Sequence, residues 1–173
     1  QGSTQFQHLI QTEVPTKLLD SWLALWCKQY AIAGTLRSTI RPHTAGSELL
    51  ELSVIDDTGK KAANAIIATI RDRRSRSILS IRDQNTFEDK FKQKRLMTLV
   101  HLFLVHRYKA ESVHYVSPTP DNEKQCKGML ALGIYDEVNT EVGAIIVARV
   151  NMATVEALVG PDLVKLRKLI SKE

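Results

Sequence analysis

The sequence predicts a mixed α/β (α+β) domain: a mostly antiparallel sheet flanked by helices, with an added N-terminal helix and C-terminal helices. Three observations predict it. Two β-prone runs, 48–55 and 61–70, are joined by Asp56-Asp57-Thr58-Gly59-Lys60, a hairpin loop with its glycine late in the turn. The stretch 91–135 reads as helix, strand and helix in one continuous unit. Residues 16–31 place Leu18, Leu19, Trp22, Leu23, Leu25, Trp26 and Tyr30 at helical spacing, which gives an amphipathic helix that Gly34 can end.

The other elements follow in order. Residues 35–41 alternate enough for a strand (Leu36, Ser38, Ile40), closed by Pro42, and a loop runs through Thr44, Gly46 and Ser47. Arg71-Asp72-Arg73-Arg74-Ser75-Arg76 turns the chain into a further strand over 77–82, so that 48–82 forms a three-stranded meander. In the central unit, Leu96, Leu99, Val100 and Phe103 make one apolar helix face. Lys90, Lys92, Lys94 and Arg95 lie at its start, where unpartnered N–H groups and the helix dipole invite an anion. A strand over 112–117 is stopped by Pro118 and Pro120, and Asp121 or Asn122 can cap the helix that runs on to Gly133. Strands at 138–141 and 144–150 complete the sheet, and Gly160-Pro161 divides 152–170 into two short helices. Trp22 and Trp26, four apart, share a face that reads as core, with a partner surface as the sharper alternative.

Composition narrows the function classes. The chain has 173 residues, 43% of them hydrophobic and 25% charged, which suits one folded domain. Residues 4–173 are read as that domain and 1–3 as a cloning remnant. Cys27 and Cys126 fall in apolar helical patterns, and no basic leader followed by an apolar run opens the chain. The expected setting is the cytoplasm, with both thiols reduced and packed. No run approaches the length of a membrane span. Net charge is +5, yet the stretch 71–109 alone has eleven Lys or Arg against four Asp or Glu, so the rest of the chain carries −2. Local basicity points to a patch for an anion. Because nothing aromatic interleaves with the arginines, the cluster at 71–76 reads as a solvated turn before a nucleic-acid site.

Familiar catalytic patterns are absent. The spacing of His8, His43, His101, His106 and His114 offers no metal pair, and there is no G-x-S-x-G, P-loop or C-x-x-C. The adjacent carboxylates Asp56-Asp57 and Asp136-Glu137 read as surface turns.

The order of elements resembles the Gcn5-related acetyltransferase (GNAT) fold. Asn122, Cys126, Leu130 and Gly133-Ile134 lie close to the family's N-x-x-A-x-x-x-Y-x-x-x-G-F pattern, while Lys92, Arg95 and Met97 occupy the positions of the Arg and two glycines of its pyrophosphate loop. A fuller resemblance covers nearly the whole chain. The segments IRPHTAGSELLEL, RDRRSRSILSIRDQNTF, KRLMTLVHLFLVHRYKAESVHYVSPTPDN and VNTEVGAIIVARVN are similar to the C-terminal GNAT-like domain of the long-form isocitrate lyases of the glyoxylate cycle. The resemblance implies a regulatory module without chemistry of its own, which binds acetyl-CoA or propionyl-CoA, pairs with a second copy and activates the lyase domain of its parent chain. The lyase's K-K-C-G-H motif is absent. It also places the phosphate cradle at the 92–98 backbone: Lys92, Lys94 and Arg95 are the charge partners, Leu96, Met97 and Thr98 follow in the first helical turn, and Asn122 lies near the pantetheine arm. Two alternatives stand beside it. One is an active acetyltransferase, with Tyr135 as acid and His114 or Glu88 as base. The other is a nucleic-acid-binding module using the patch from Arg71 to Arg95.

Overall fold

The computed structural model describes residues 13–43 and 49–171. The remnant expected at 1–3, the loop through Thr44, Gly46 and Ser47, and His8 and Glu48 lie outside the described residues. Eight strands form one sheet: β1 (Val14–Pro15), β2 (Leu36–Pro42), β3 (Leu49–Asp56), β4 (Lys61–Arg71), β5 (Ser77–Thr86), β6 (Ser112–Val116), β7 (Tyr135–Val142) and β8 (Ile145–Val150). Its order is β1-β2-β3-β4-β5-β6-β8-β7, antiparallel throughout except for the parallel pair β5·β6. The antiparallel run therefore extends the expected three-stranded meander by two strands, β2 and β1, beyond β3, and stops at β5 on the other side. Among the described residues five α-helices accompany it: α1 (Lys17–Gln29), α2 (Leu96–Tyr108), α3 (Pro120–Ala131), α4 (Met152–Leu158) and α5 (Val164–Leu169). No helix among the described residues is long and apolar enough to cross a membrane.

Local chemistry sets the element ends. Asp56 closes the β3–β4 hairpin, its Oδ1 accepting from the Thr58 and Lys60 backbone N–H groups, and Gly59 takes the left-handed turn position at φ +88°. Helix α1 stops earlier than Gly34. Ala31 adopts φ +53°, the Ile32 N–H donates to the Cys27 carbonyl at 2.9 Å, and the Ala31 N–H turns back to Lys28, a Schellman end built without glycine. Neither Asp121 nor Asn122 is the cap of α3. Thr119 is, with Pro120 in the first turn, and Asn122 completes a capping box by accepting the Thr119 N–H at 3.0 Å.

Side-chain contacts from helices to strands fall on one face of the sheet. Asp20 on α1 accepts from Ser38, His101 on α2 meets Tyr115, and Gln125 on α3 meets Gln84. On that inner face Leu52, Val54, Ala65, Ile67, Leu79 and Val113 are fully or almost fully buried. Trp22 and Trp26 are buried completely, Trp22 edge-on to Phe103 at 5.9 Å, so the core reading of this pair holds and the partner-surface reading does not. Cys27 and Cys126 are buried free thiols. Helix α2 departs from its expected single apolar face: Leu99 to Val105 are all buried, because the sheet, α1 and α4 surround it.

The strand β5 contains a bulge. Ile67 pairs with Ile81 but Ile66 pairs with Asp83, so Arg82 is an extra residue. One added residue inverts the alternation beyond it. Asp83 and Asn85 consequently point to the outer face, and Gln84 turns inward, opposite Ala65.

Candidate functional site: a notch between two parallel strands

The parallel pairing of β5 and β6 ends at Ile81 and Tyr115, yet β5 runs on to Thr86 while still paired with β4 on its other edge. The two strands part there. The chain then leaves β5 through the exposed Phe87, makes a 3₁₀ turn at Asp89–Phe91, and enters α2. Helix α2 begins at Leu96, so Lys90 belongs to the 3₁₀ turn and Lys92, Lys94 and Arg95 precede the helix. Gln93 and Arg95 both hold left-handed backbone, at φ +57° and +62°. Side chains other than glycine adopt that region at a cost of about 1 kcal/mol or more, a form of strain that concentrates at binding sites.

The expected site residues are distributed as follows. Lys92 pairs with Asp89 at 3.3 Å, Lys94 Nζ donates to the Lys90 carbonyl, and Arg95 Nη1 donates to the Leu169 carbonyl at the end of α5. The Lys94 carbonyl accepts from Trp26 Nε1 at 2.7 Å, which pins the loop to the core. Leu96 is buried, and Met97 and Thr98 are half-buried in the first turn, where backbone N–H groups have no helical partner. Asn122 lies in the first turn of α3, its amide oxygen used by the cap.

Arg95 thus ties two helices together. Arg95→Ala is expected to cost about 1 to 3 kcal/mol, the worth of a charge-assisted hydrogen bond, and to raise amide exchange across Val164–Leu169. Acyl-CoA affinity measured on the same variant separates this structural role from a role at the phosphates.

Behind the notch lies a polar chain that residue patterns did not reveal. Gln84 Nε2 donates to Gln125 Oε1 at 3.0 Å, and Gln125 Nε2 lies 3.3 Å from His101 Nδ1. His101 Nδ1 is 3.2 Å from the Tyr115 hydroxyl, which is 2.6 Å from the Tyr135 hydroxyl. His101, Tyr115 and Tyr135 are buried, and His101 Nε2 has no partner among the described residues. Burial pushes the Tyr115 and Tyr135 phenols far above their usual range, and takes the Cys126 thiol up to about 11 against a hydrogen bond from Tyr115.

Burial likewise takes the His101 imidazole down to about 3, so it is neutral near pH 7. An unfolded chain protonates the same group near pH 6.5. Its contribution is therefore complete above about pH 6.5 and is lost as pH falls toward 3. Between pH 7 and pH 5 this group alone is expected to remove about 2 kcal/mol. Urea unfolding at the two pH values checks this, and His101→Gln, which cannot titrate, should flatten that part of the slope.

The candidates for acid–base chemistry do not converge. Tyr135 is on the inner face in the tyrosine pair, His114 points to the outer face of β6 by strand alternation, and Glu88 pairs with Lys60 at 3.4 Å and Lys90 at 3.9 Å. Among the described residues no three His, Cys, Asp or Glu side chains are placed to hold a metal ion. At the far end of β5, the turn at Arg71–Arg76 is organised by Asp72, which accepts from the Arg74 and Arg76 backbone and from Arg76 Nε. An open cleft of about 340 Å³ beside it is lined by Arg71 and Lys109, both already bonded, to the Ser75 carbonyl and to Glu156.

An antiparallel meander, a loop into a central helix, a parallel strand, a further helix and a closing hairpin define a GNAT-like α/β domain. Among solved structures, the chain is similar to apo FdhC, a nucleotide-linked sugar GNAT (TM-score 0.46, 12% identity, 64% of this chain and 61% of that one). It is also similar to the aminoglycoside acetyltransferase HMB0005 from an uncultured soil metagenomic sample (TM-score 0.40, 14% identity, 74% and 93%). No protein-family model matches the chain. By sequence it is 57% identical, over 99% of its length, to isocitrate lyase 2 of Mycobacterium tuberculosis Erdman and of Mycobacterium bovis. The same identity and share relate it to a shorter putative isocitrate lyase polypeptide of M. tuberculosis H37Rv. The similarity is to the C-terminal portion of isocitrate lyase 2, and the chain spans 22% of the length of that protein and 43% of the shorter H37Rv polypeptide.

Proposed function

We propose that this chain is a non-catalytic regulatory domain of a long-form isocitrate lyase of the glyoxylate cycle, acting in the cytoplasm. It binds acetyl-CoA or propionyl-CoA, and binding promotes pairing of two such domains and activates the lyase. The observation that carries this reading is the adjacency of two features: the strand notch beyond Ile81 and Tyr115, and the strained basic loop that opens α2. An extended acyl-pantetheine arm suits a parted strand edge, and a pyrophosphate suits unpartnered N–H groups at the start of a thirteen-residue helix. Similarity to isocitrate lyase chains supports the lyase as partner.

Isothermal titration with acetyl-CoA, with free CoA and acetate as controls, tests it. Saturable binding that distinguishes acetyl-CoA from CoA is the expected result, and absence of binding at millimolar ligand overturns the reading. A mass-based acceptor assay on the same sample should show no acetyl transfer; turnover would make the domain an acetyltransferase.

A further inference from the structure

We propose that the Gln84–Gln125 hydrogen bond is a latch: it closes the notch between β5 and β6 in the free protein, and α3 must release it for a ligand to enter. The proposal rests on the acyl-CoA reading above and adds how that site is controlled. Three observations carry it.

The first is placement. Only the extra residue at Arg82 brings Gln84 onto the inner face, and it does so just past the last β5·β6 pair. Bulges commonly re-aim a side chain next to a functional site. Here the re-aimed side chain spans the opening to a helix 41 residues further along the chain.

The second is the unequal hold on the two ends of the bridge. Gln84 is in a strand paired with β4 through Thr86. Gln125 belongs to α3, which buries only Cys126 and Met129, whereas α2 buries eight side chains. Elements with few buried apolar contacts open most readily, so α3 is the moving part.

The third is an unmet need behind the bridge. Gln125 Nε2 and the Tyr115 hydroxyl both address His101 Nδ1, while the fully buried Nε2 has no partner among the described residues. A buried polar atom left unsatisfied weakens the state that contains it. A ligand bearing amides can replace the bond it breaks. A closed latch reduces apparent affinity by the fraction of molecules that are open.

The test combines calorimetric titration with acetyl-CoA and amide hydrogen exchange on the free proteins, for wild type, Gln125→Ala, Gln84→Met and the double variant. Gln84→Met keeps side-chain volume and breaks the bridge from the sheet side, so a loss of folding in the helix variant does not decide the result. Gln84→Met should bind acetyl-CoA about fivefold more tightly, the worth of one neutral hydrogen bond; Gln125→Ala, which also removes the contact to His101, should gain at least as much, and the double variant should bind no more tightly than Gln125→Ala. Exchange should rise across Pro120–Ala131 and stay unchanged across Leu96–Tyr108. Binding that weakens or stays level in the variants while wild type binds overturns the latch and leaves the acyl-CoA reading standing. Failure of every form to bind at millimolar ligand overturns that reading, and the latch with it. Binding by the variants alone supports both.

Discussion

Replacing Lys61 with methionine is expected to cost about 1 to 2 kcal/mol of stability at neutral pH, less than breaking a fully buried ion pair, because the Lys61 side chain is 38% exposed and Arg41 still pairs with the same carboxylate. Its partner Glu51 is 5% exposed and sits on the outer face of β3. Glu51 accepts from Lys61 at 2.7 Å, Asn64 at 2.9 Å and Arg41 at 3.2 Å. Burial by itself would raise this carboxyl; the hydrogen bonds from Asn64 and Lys61, the Lys61 charge and Arg41 outweigh it and bring it to about 2. Methionine matches the stem of lysine but leaves a nearly buried carboxylate without its shortest cationic contact.

The pH dependence follows from the direction of that shift. A carboxyl held down to about 2 in the folded protein contributes stability that is complete above the unfolded value near 4.5 and is lost as pH falls toward 2. In Lys61→Met the folded Glu51 titrates higher, so less is lost on acidification and the gap from wild type narrows below pH 4.5. The double replacement Lys61→Met with Glu51→Gln removes the stranded charge and should be more stable at pH 7 than Lys61→Met alone. Urea unfolding of the wild type, Lys61→Met, Glu51→Gln and the double variant at pH 7 and pH 4 measures both effects. A double variant at least as destabilised as the sum of the singles would show that Glu51 and Lys61 act independently.

This cluster also shows where residue patterns stop informing. The hairpin from β3 to β4 was legible because Asp56 and Gly59 mark its turn, and α1 because its tryptophans and leucines repeat at helical spacing. The strand β5 was legible only as far as Arg82. Beyond Ile81 the residues Arg82-Asp83-Gln84-Asn85-Thr86 contain no apolar side chain to set a phase, so neither the strand's continuation nor the bulge leaves a periodic trace. That hid Gln84, and with it the bridge to Gln125. The spacing of His101 to the other histidines speaks only to metal ligation. The position of His101 inside the apolar run Leu99-Val100-His101-Leu102-Phe103 was the available sign of a buried polar group needing partners, and Tyr115 supplies one from the next strand. The basic stretch before α2 is legible as charge, but Lys92, Lys94 and Arg95 precede the helix. Non-glycine residues at positive φ carry no sequence mark, and Arg95 finds its acceptor 74 residues away.

Replacing Trp26 with alanine is expected to destabilise the domain by about 3 to 5 kcal/mol, the range for emptying a fully buried aromatic site. The ring lies against Tyr30 at 5.4 Å and Phe91 at 6.1 Å, so its loss uncouples α1 from the 3₁₀ turn that precedes the basic loop. Trp26→Phe separates packing from anchoring. Phenylalanine keeps much of the apolar contact, but the Lys94 carbonyl loses the indole N–H that donates to it at 2.7 Å, a loss worth about 1 to 3 kcal/mol for a group left without a partner. The left-handed residues Gln93 and Arg95 flank that carbonyl, and conformations of this kind persist only where their surroundings over-determine them. Trp26→Phe should therefore relax residues 92–95 and raise their amide exchange while the far end of α2 stays protected. If the loop cradles a pyrophosphate, acetyl-CoA affinity should fall in the same variant more than thermal stability does. Unchanged affinity with a relaxed loop would move the phosphates elsewhere on the notch.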